Sequence, residues 1–133
     1  MSGWLDNDEM RLAECIVEAE ETTESGFGSD AFWNRVKEVY DEKCQENQGS
    51  NRFTLRQIKL KWTALQGPLG RFQEIYVRRT LEWEDREENL NRVMPYDVLD
   101  EIIQQSCAEY ATLYGEPFTK TEIWWHVSEN LGI

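Results

Sequence analysis

The chain has 133 residues, enough for one compact domain or a small one with an appended subdomain, and it can bury a core without disulfide support. Its formal net charge of −12, from 26 acidic against 14 basic residues, opposes indiscriminate binding to a polyanion. Six tryptophans, five tyrosines and five phenylalanines supply an aromatic-rich core, while the alternating pattern of an all-β chain, a signal peptide and an apolar run of the roughly 18 residues a membrane span needs are all missing, so the expected class is all-α, soluble and intracellular.

In chain order, Trp4 precedes a first helix expected from about Asp8 to Glu20, with Leu12, Ala13, Ile16 and Val17 as its apolar stripe. Asp6 or Asn7 is its expected cap, and Asp8 and Glu9 suit the positive end of the helix dipole. The run TTESGFGS, residues 22–29, reads as a loop. A second helix follows from about Asp30 to Gln45, capped by Ser29 or Asp30, and Phe32, Trp33, Val36, Val39, Tyr40 and Cys44 recur along it at helical spacing. Glycine, asparagine and serine in residues 46–52 mark a turn.

Thr54 then caps a short basic helix whose Leu55, Ile58, Trp62 and Leu65 share one face, with Arg56, Lys59 and Thr63 projecting from the opposite one. Lys61 lies at a flank and Leu60 in the middle of the outward face. Gly67-Pro68 is expected to end this helix, with Pro68 starting the next at its first turn. Leu69, Phe72, Ile75 and Tyr76 form the new stripe, which runs on through Leu81 and Trp83 before the charged run EDREEN. Pro95 starts another helix with Val98, Leu99, Ile102, Ile103, Cys107, Tyr110 and Leu113 on its buried side, stopped by Gly115. A capping box, Thr119 with Glu122, announces the last helix, whose apolar residues are Ile123, Trp124, Val127 and Leu131.

Charge is unevenly spread. Between residues 52 and 79, Arg52, Arg56, Lys59, Lys61, Arg71, Arg78 and Arg79 stand against the single acid Glu74. Four basic against thirteen acidic residues precede this belt, and three against twelve follow it. Such a belt is either a solvated helix face paired with the acidic arms or a surface for nucleic acid or an acidic partner. A short basic helix anchored by a buried tryptophan, after two other helices, is what a helix-turn-helix reader of the DNA major groove requires.

Trp4 with Asp8 and Glu9, then Leu12, then Phe32-Trp33 with Val36 and Tyr40, then Arg52 and Leu55 through Trp62, resembles the Myb/SANT-like domain of transposon-derived and plant proteins. The resemblance implies a three-helix helix-turn-helix bundle over residues 1–66, with Trp4, Trp33 and Trp62 as core aromatics. It further implies that Arg56, Lys59 and Thr63 lie on the outward face of the third helix, which sits in the major groove in DNA-binding members, whereas SANT members of the same fold instead bind proteins such as histone tails. Phe72 and Tyr76, then Ala111, Tyr114, Pro117-Phe118 and Trp124, are similar to the pattern in which such plant domains continue into a tail of the no-apical-meristem-associated type. Residues 67–133 are then a helical C-terminal extension that packs on the bundle or mediates dimerisation. The expected localisation is the nucleus and the expected role transcription regulation.

Catalysis is not expected: no carboxylates sit at a recognisable catalytic spacing, GPLG lacks the lysine of a phosphate-cradling loop, and His126 is the chain's one histidine. No cofactor or metal is expected either, because Cys15, Cys44 and Cys107 are far apart without a CxxC spacing; they read as reduced thiols acting as small apolar residues. Two partner classes remain. In the first, Arg56, Lys59 and Thr63 approach base edges of double-stranded DNA while Arg52, Lys61, Arg71, Arg78 and Arg79 hold phosphates. In the second, the domain is a SANT-type adaptor whose acidic arms bind a basic protein and whose Leu60 belongs to an apolar contact. In either, the apolar supply of the C-terminal half suits a homodimer.

Overall fold

A computed structural model of the chain describes residues 3–24, 26–46 and 53–131. Five α-helices and one 3₁₀ turn account for its regular structure, with no strand among the described residues: α1 (Asp6–Thr22), α2 (Asp30–Glu46), α3 (Leu55–Glu84), the turn Glu87–Asn89, α4 (Tyr96–Tyr114) and α5 (Thr121–Leu131). The fold is all-α, and no helix among the described residues is long and apolar enough to cross a membrane.

Helix ends follow local chemistry. The α2 cap is Ser29, whose Oγ accepts the Phe32 N–H at 3.2 Å. At the start of α3 the Thr54 Oγ1 accepts the Gln57 N–H at 3.2 Å while the Gln57 side chain accepts the Thr54 N–H at 2.8 Å, a reciprocal capping box. Gly115 ends α4 at φ 75° and donates to the Ala111 carbonyl at 3.0 Å. The α1 cap differs from expectation. Leu5 occupies it, and Asp8, three residues on, reaches back to accept the Leu5 N–H at 3.0 Å. The acid therefore works from inside the first turn instead of from the cap position.

A larger correction concerns Gly67-Pro68. They do not end a helix; α3 runs unbroken for 30 residues with Pro68 inside it. Proline there removes one helical hydrogen bond and costs about 3 kcal/mol, and each interior glycine costs about 1 kcal/mol relative to alanine. Opposing this, Ile58, Trp62, Leu65, Leu69, Phe72 and Ile75 form one continuous buried stripe at three-and-four spacing. Burying a large apolar side chain contributes about 1.5–3 kcal/mol, so Leu69 and Phe72 together offset a cost of the same size as that of the proline and the glycines.

The chain divides into two compact units, residues 1–65 with 121–133, and residues 66–120. In the first, α1 packs against α2 and against α5, so the last helix belongs with the first one and not with the rest of the extension. Leu12, Ile16, Phe32, Val36, Tyr40 and Ile58 form its most deeply buried layer. Trp4 stacks on Phe53 with ring centroids 3.8 Å apart and meets Tyr40 edge-on at 6.2 Å. Of the three tryptophans the resemblance assigns to the core, Trp62 is buried and Trp4 and Trp33 are half-buried. Cys15 and Cys44 are buried free thiols, and burial pushes the Cys15 thiol up to about 12. In the second unit, the later part of α3 and α4 form an antiparallel hairpin. Phe72 stacks on Phe118 at 4.2 Å, and Tyr110 is buried beside them at 5.1 Å from Phe118.

Candidate nucleic-acid interface

No acidic residue occurs between positions 47 and 73, although the chain carries 26 of them. The first part of α3 therefore lacks carboxylates on every face, and its cations differ in what holds them.

Arg56 is exposed and forms no ion pair among the described residues. One turn on, Lys59 is half-buried, its ammonium 5.8 Å from the centroid of the Trp33 ring, where the indole face attracts the cation without neutralising it. Thr63 is exposed, and its hydroxyl donates to the Lys59 carbonyl at 3.0 Å, leaving its oxygen free to accept. Helical spacing puts these three on one face with Leu60, which is 61 % exposed. Arg52 lies outside the described residues.

Lys61 faces the other way. Its ammonium is 2.6 Å from Glu9 on α1, with side-chain exposures of 20 % and 6 %. Asp8, the neighbouring acid, accepts from Arg11 at 3.0 Å, and Arg11 also hydrogen-bonds Tyr40. The acidic pair of α1 is thus folded inward and neutralised. Tyr40 is legible in the sequence as a core residue of the second helix, but its contact with Arg11 is not, because a contact between successive helices leaves no linear signature.

In the second unit the remaining cations point to protein groups. Arg71 donates to the Tyr110 hydroxyl at 3.3 Å and lies over the Tyr114 ring at 4.9 Å. Arg79 is bound to Glu109 at 2.7 Å and to Gln105 at 3.1 Å. Arg78 pairs with the same Glu109 and with Glu82 at 3.3 Å. One carboxylate, Glu109, thus gathers two arginines thirty positions away in sequence. The eight residues expected to contact DNA are consequently not equivalent. Arg56, Lys59 and Thr63 share an outward face; Lys61 is tied to α1; Arg71, Arg78 and Arg79 brace α3 against α4.

Comparison with models of protein families, with curated proteins and with solved structures finds no match to this chain.

Proposed function

We propose that the chain binds double-stranded DNA through the outward face of the first turns of α3, as a Myb/SANT-like helix-turn-helix domain of a nuclear transcription-regulatory or transposon-derived factor. The observation that carries the reading is the chemistry of that face: Arg56, Lys59 and Thr63 at successive turns, on a helix segment with no carboxylate, in a chain otherwise dense in them. Arginine and lysine donate to guanine O6 and N7 in the major groove, and a threonine serves either as hydrogen-bond partner or as contact for a thymine methyl. The inward pairing of Glu9 with Lys61 and of Asp8 with Arg11 removes the two α1 acids from competition with phosphate. Lys61 and Arg79, held by carboxylates, add little to phosphate binding.

With so few uncommitted cations the salt dependence is shallow. Two or three phosphate contacts give a slope of log K against log salt of about −2 to −3. Fluorescence anisotropy of the chain on a random duplex pool, at several salt concentrations and followed by selection and sequencing, tests this. The expected result is binding that weakens at that slope and enriches a short motif, with Arg56→Ala and Lys59→Ala each weakening binding by about 1–3 kcal/mol on the selected sequence and less on unrelated ones. No binding at low salt overturns the reading.

Leu60 favours a second reading. An apolar side chain 61 % exposed at the centre of the face suits a protein contact better than a phosphate. As a SANT-type adaptor, the domain would bind a basic segment such as a lysine-rich histone tail. In that case Leu60→Ala weakens capture of such a peptide while Arg56→Ala leaves it unchanged.

A further inference from the structure

The exposed large apolar side chains among the described residues of the first unit are Leu5, Phe27, Leu60 and Trp125, and of these only Leu60 belongs to α3. It is not a spare core residue. Ile58 and Trp62, two positions before and after it, are buried at 0 % and 3 % on the opposite side of the helix, which fixes Leu60 outward. Its neighbours on that surface are Arg56 one turn before, Lys59 beside it and Thr63 three positions on. An apolar group thus stands in the middle of three groups suited to the floor of the major groove.

What that groove offers to a leucine is limited. Most of each base-pair edge consists of amines, carbonyl oxygens and ring nitrogens, which lose water under an isobutyl group without gaining a hydrogen bond. One group there is apolar: the methyl on C5 of a pyrimidine, which thymine always carries and cytosine carries once methylated. Arg56 supplies the reference point. A guanidinium donates twice to guanine O6 and N7, and residues four apart on a helix have their Cβ atoms about 5–6 Å from each other. With base pairs stacked about 3.4 Å apart, a methyl under Leu60 lies one or two steps from that guanine.

We infer that Leu60 reads the C5 methyl group of a pyrimidine one or two base steps from the guanine contacted by Arg56, so that the face distinguishes methylated from unmethylated pyrimidine edges. The inference rests on the DNA-binding reading above and gives Leu60 a part in it. Thr63 carries a methyl group as well, but its hydroxyl is tied to the Lys59 carbonyl at 3.0 Å and it lies at the edge of the face, whereas Leu60 is 61 % exposed at the centre. Covering one methyl group changes affinity by about fourfold.

The test takes the duplex enriched by selection, replaces each thymine in turn by deoxyuridine and each cytosine in turn by 5-methylcytosine, and measures anisotropy with the full chain. Neither replacement alters Watson–Crick pairing; each removes or adds one methyl group. The expected result is a position at which the methylated base binds about fourfold more tightly than its unmethylated counterpart, a ratio that Leu60→Ala reduces to about one. Thr63→Ser, which keeps the hydroxyl and removes the methyl, leaves the ratio at about four. A loss on deoxyuridine identifies thymine as the source of the methyl group, and a gain on 5-methylcytosine identifies methylated cytosine. Leu60 is exposed, so its exchange leaves the fold intact, which an unchanged urea midpoint verifies. Duplex binding without any methyl-sensitive position, a ratio that survives in Leu60→Ala, or one that vanishes in Thr63→Ser overturns the inference and leaves the DNA-binding reading standing. Absence of duplex binding overturns that reading and this inference with it.

Discussion

Lys61 and Glu9 meet at 2.6 Å between α3 and α1 with little of either side chain exposed, and the two partners do not respond alike to removal. Deleting the lysine takes the counter-charge from a buried carboxylate, which costs about 3 kcal/mol. Lys61→Met should lower the urea midpoint accordingly, and adding Glu9→Leu should return much of the loss, since an apolar pair of similar volume needs no counter-charge. Cys15 makes a different prediction at the same scale. Its thiol is held up to about 12 by burial, above an unfolded value near 9. The folded state therefore keeps a proton that the unfolded state releases. The stability this contributes is complete below about pH 9 and is lost between about pH 9 and 12, by about 1.4 kcal/mol per pH unit. Denaturant titrations over that window should show a falling midpoint, with a shallower fall for Cys15→Ala. Tyr40 is raised in the same direction by burial and adds to the slope at the upper end.

Helix α3 shows where element-scale reading of a sequence succeeds and where it does not. Thr54 as a cap, and the stripe from Ile58 to Leu65, are legible from spacing alone, because a cap and a face are properties of near neighbours, while the answering contact of Gln57 emerges only in the structure. The continuation through Gly67-Pro68 was not, since propensity favours a break there and only the burial of Leu69 and Phe72 on the same stripe reverses it. The same blindness covers Glu109, whose two arginine partners lie thirty positions away, and Glu9, whose lysine is on another helix. The acids that decide which basic residues remain available to a ligand are thus the part of the site that linear reasoning misses. One further prediction belongs to this helix. Gly70 has no positive φ, and a Cβ built there meets nothing within 4 Å. Gly70→Ala should therefore raise stability by about 1 kcal/mol, read as thermal unfolding, whereas at position 67 the ring of Pro68 disfavours a helical residue that carries a Cβ.

For the whole molecule, a net charge of −12 repels polyanions in general, and on the proposed DNA-binding reading the acid-free face of α3 is the exception. On that reading, lower ionic strength would strengthen the local attraction and the general repulsion together, which would favour binding in register over sliding contact. The first unit has another property at this scale. It is assembled from both ends of the described chain: α1 packs on α5, and the hairpin of residues 66–120 lies between them in sequence. During synthesis the side of α1 that receives α5 stays uncovered until residues 121–131 have been made, after all the residues of the hairpin. The order in which the two units mature is therefore opposite to the order in which they begin.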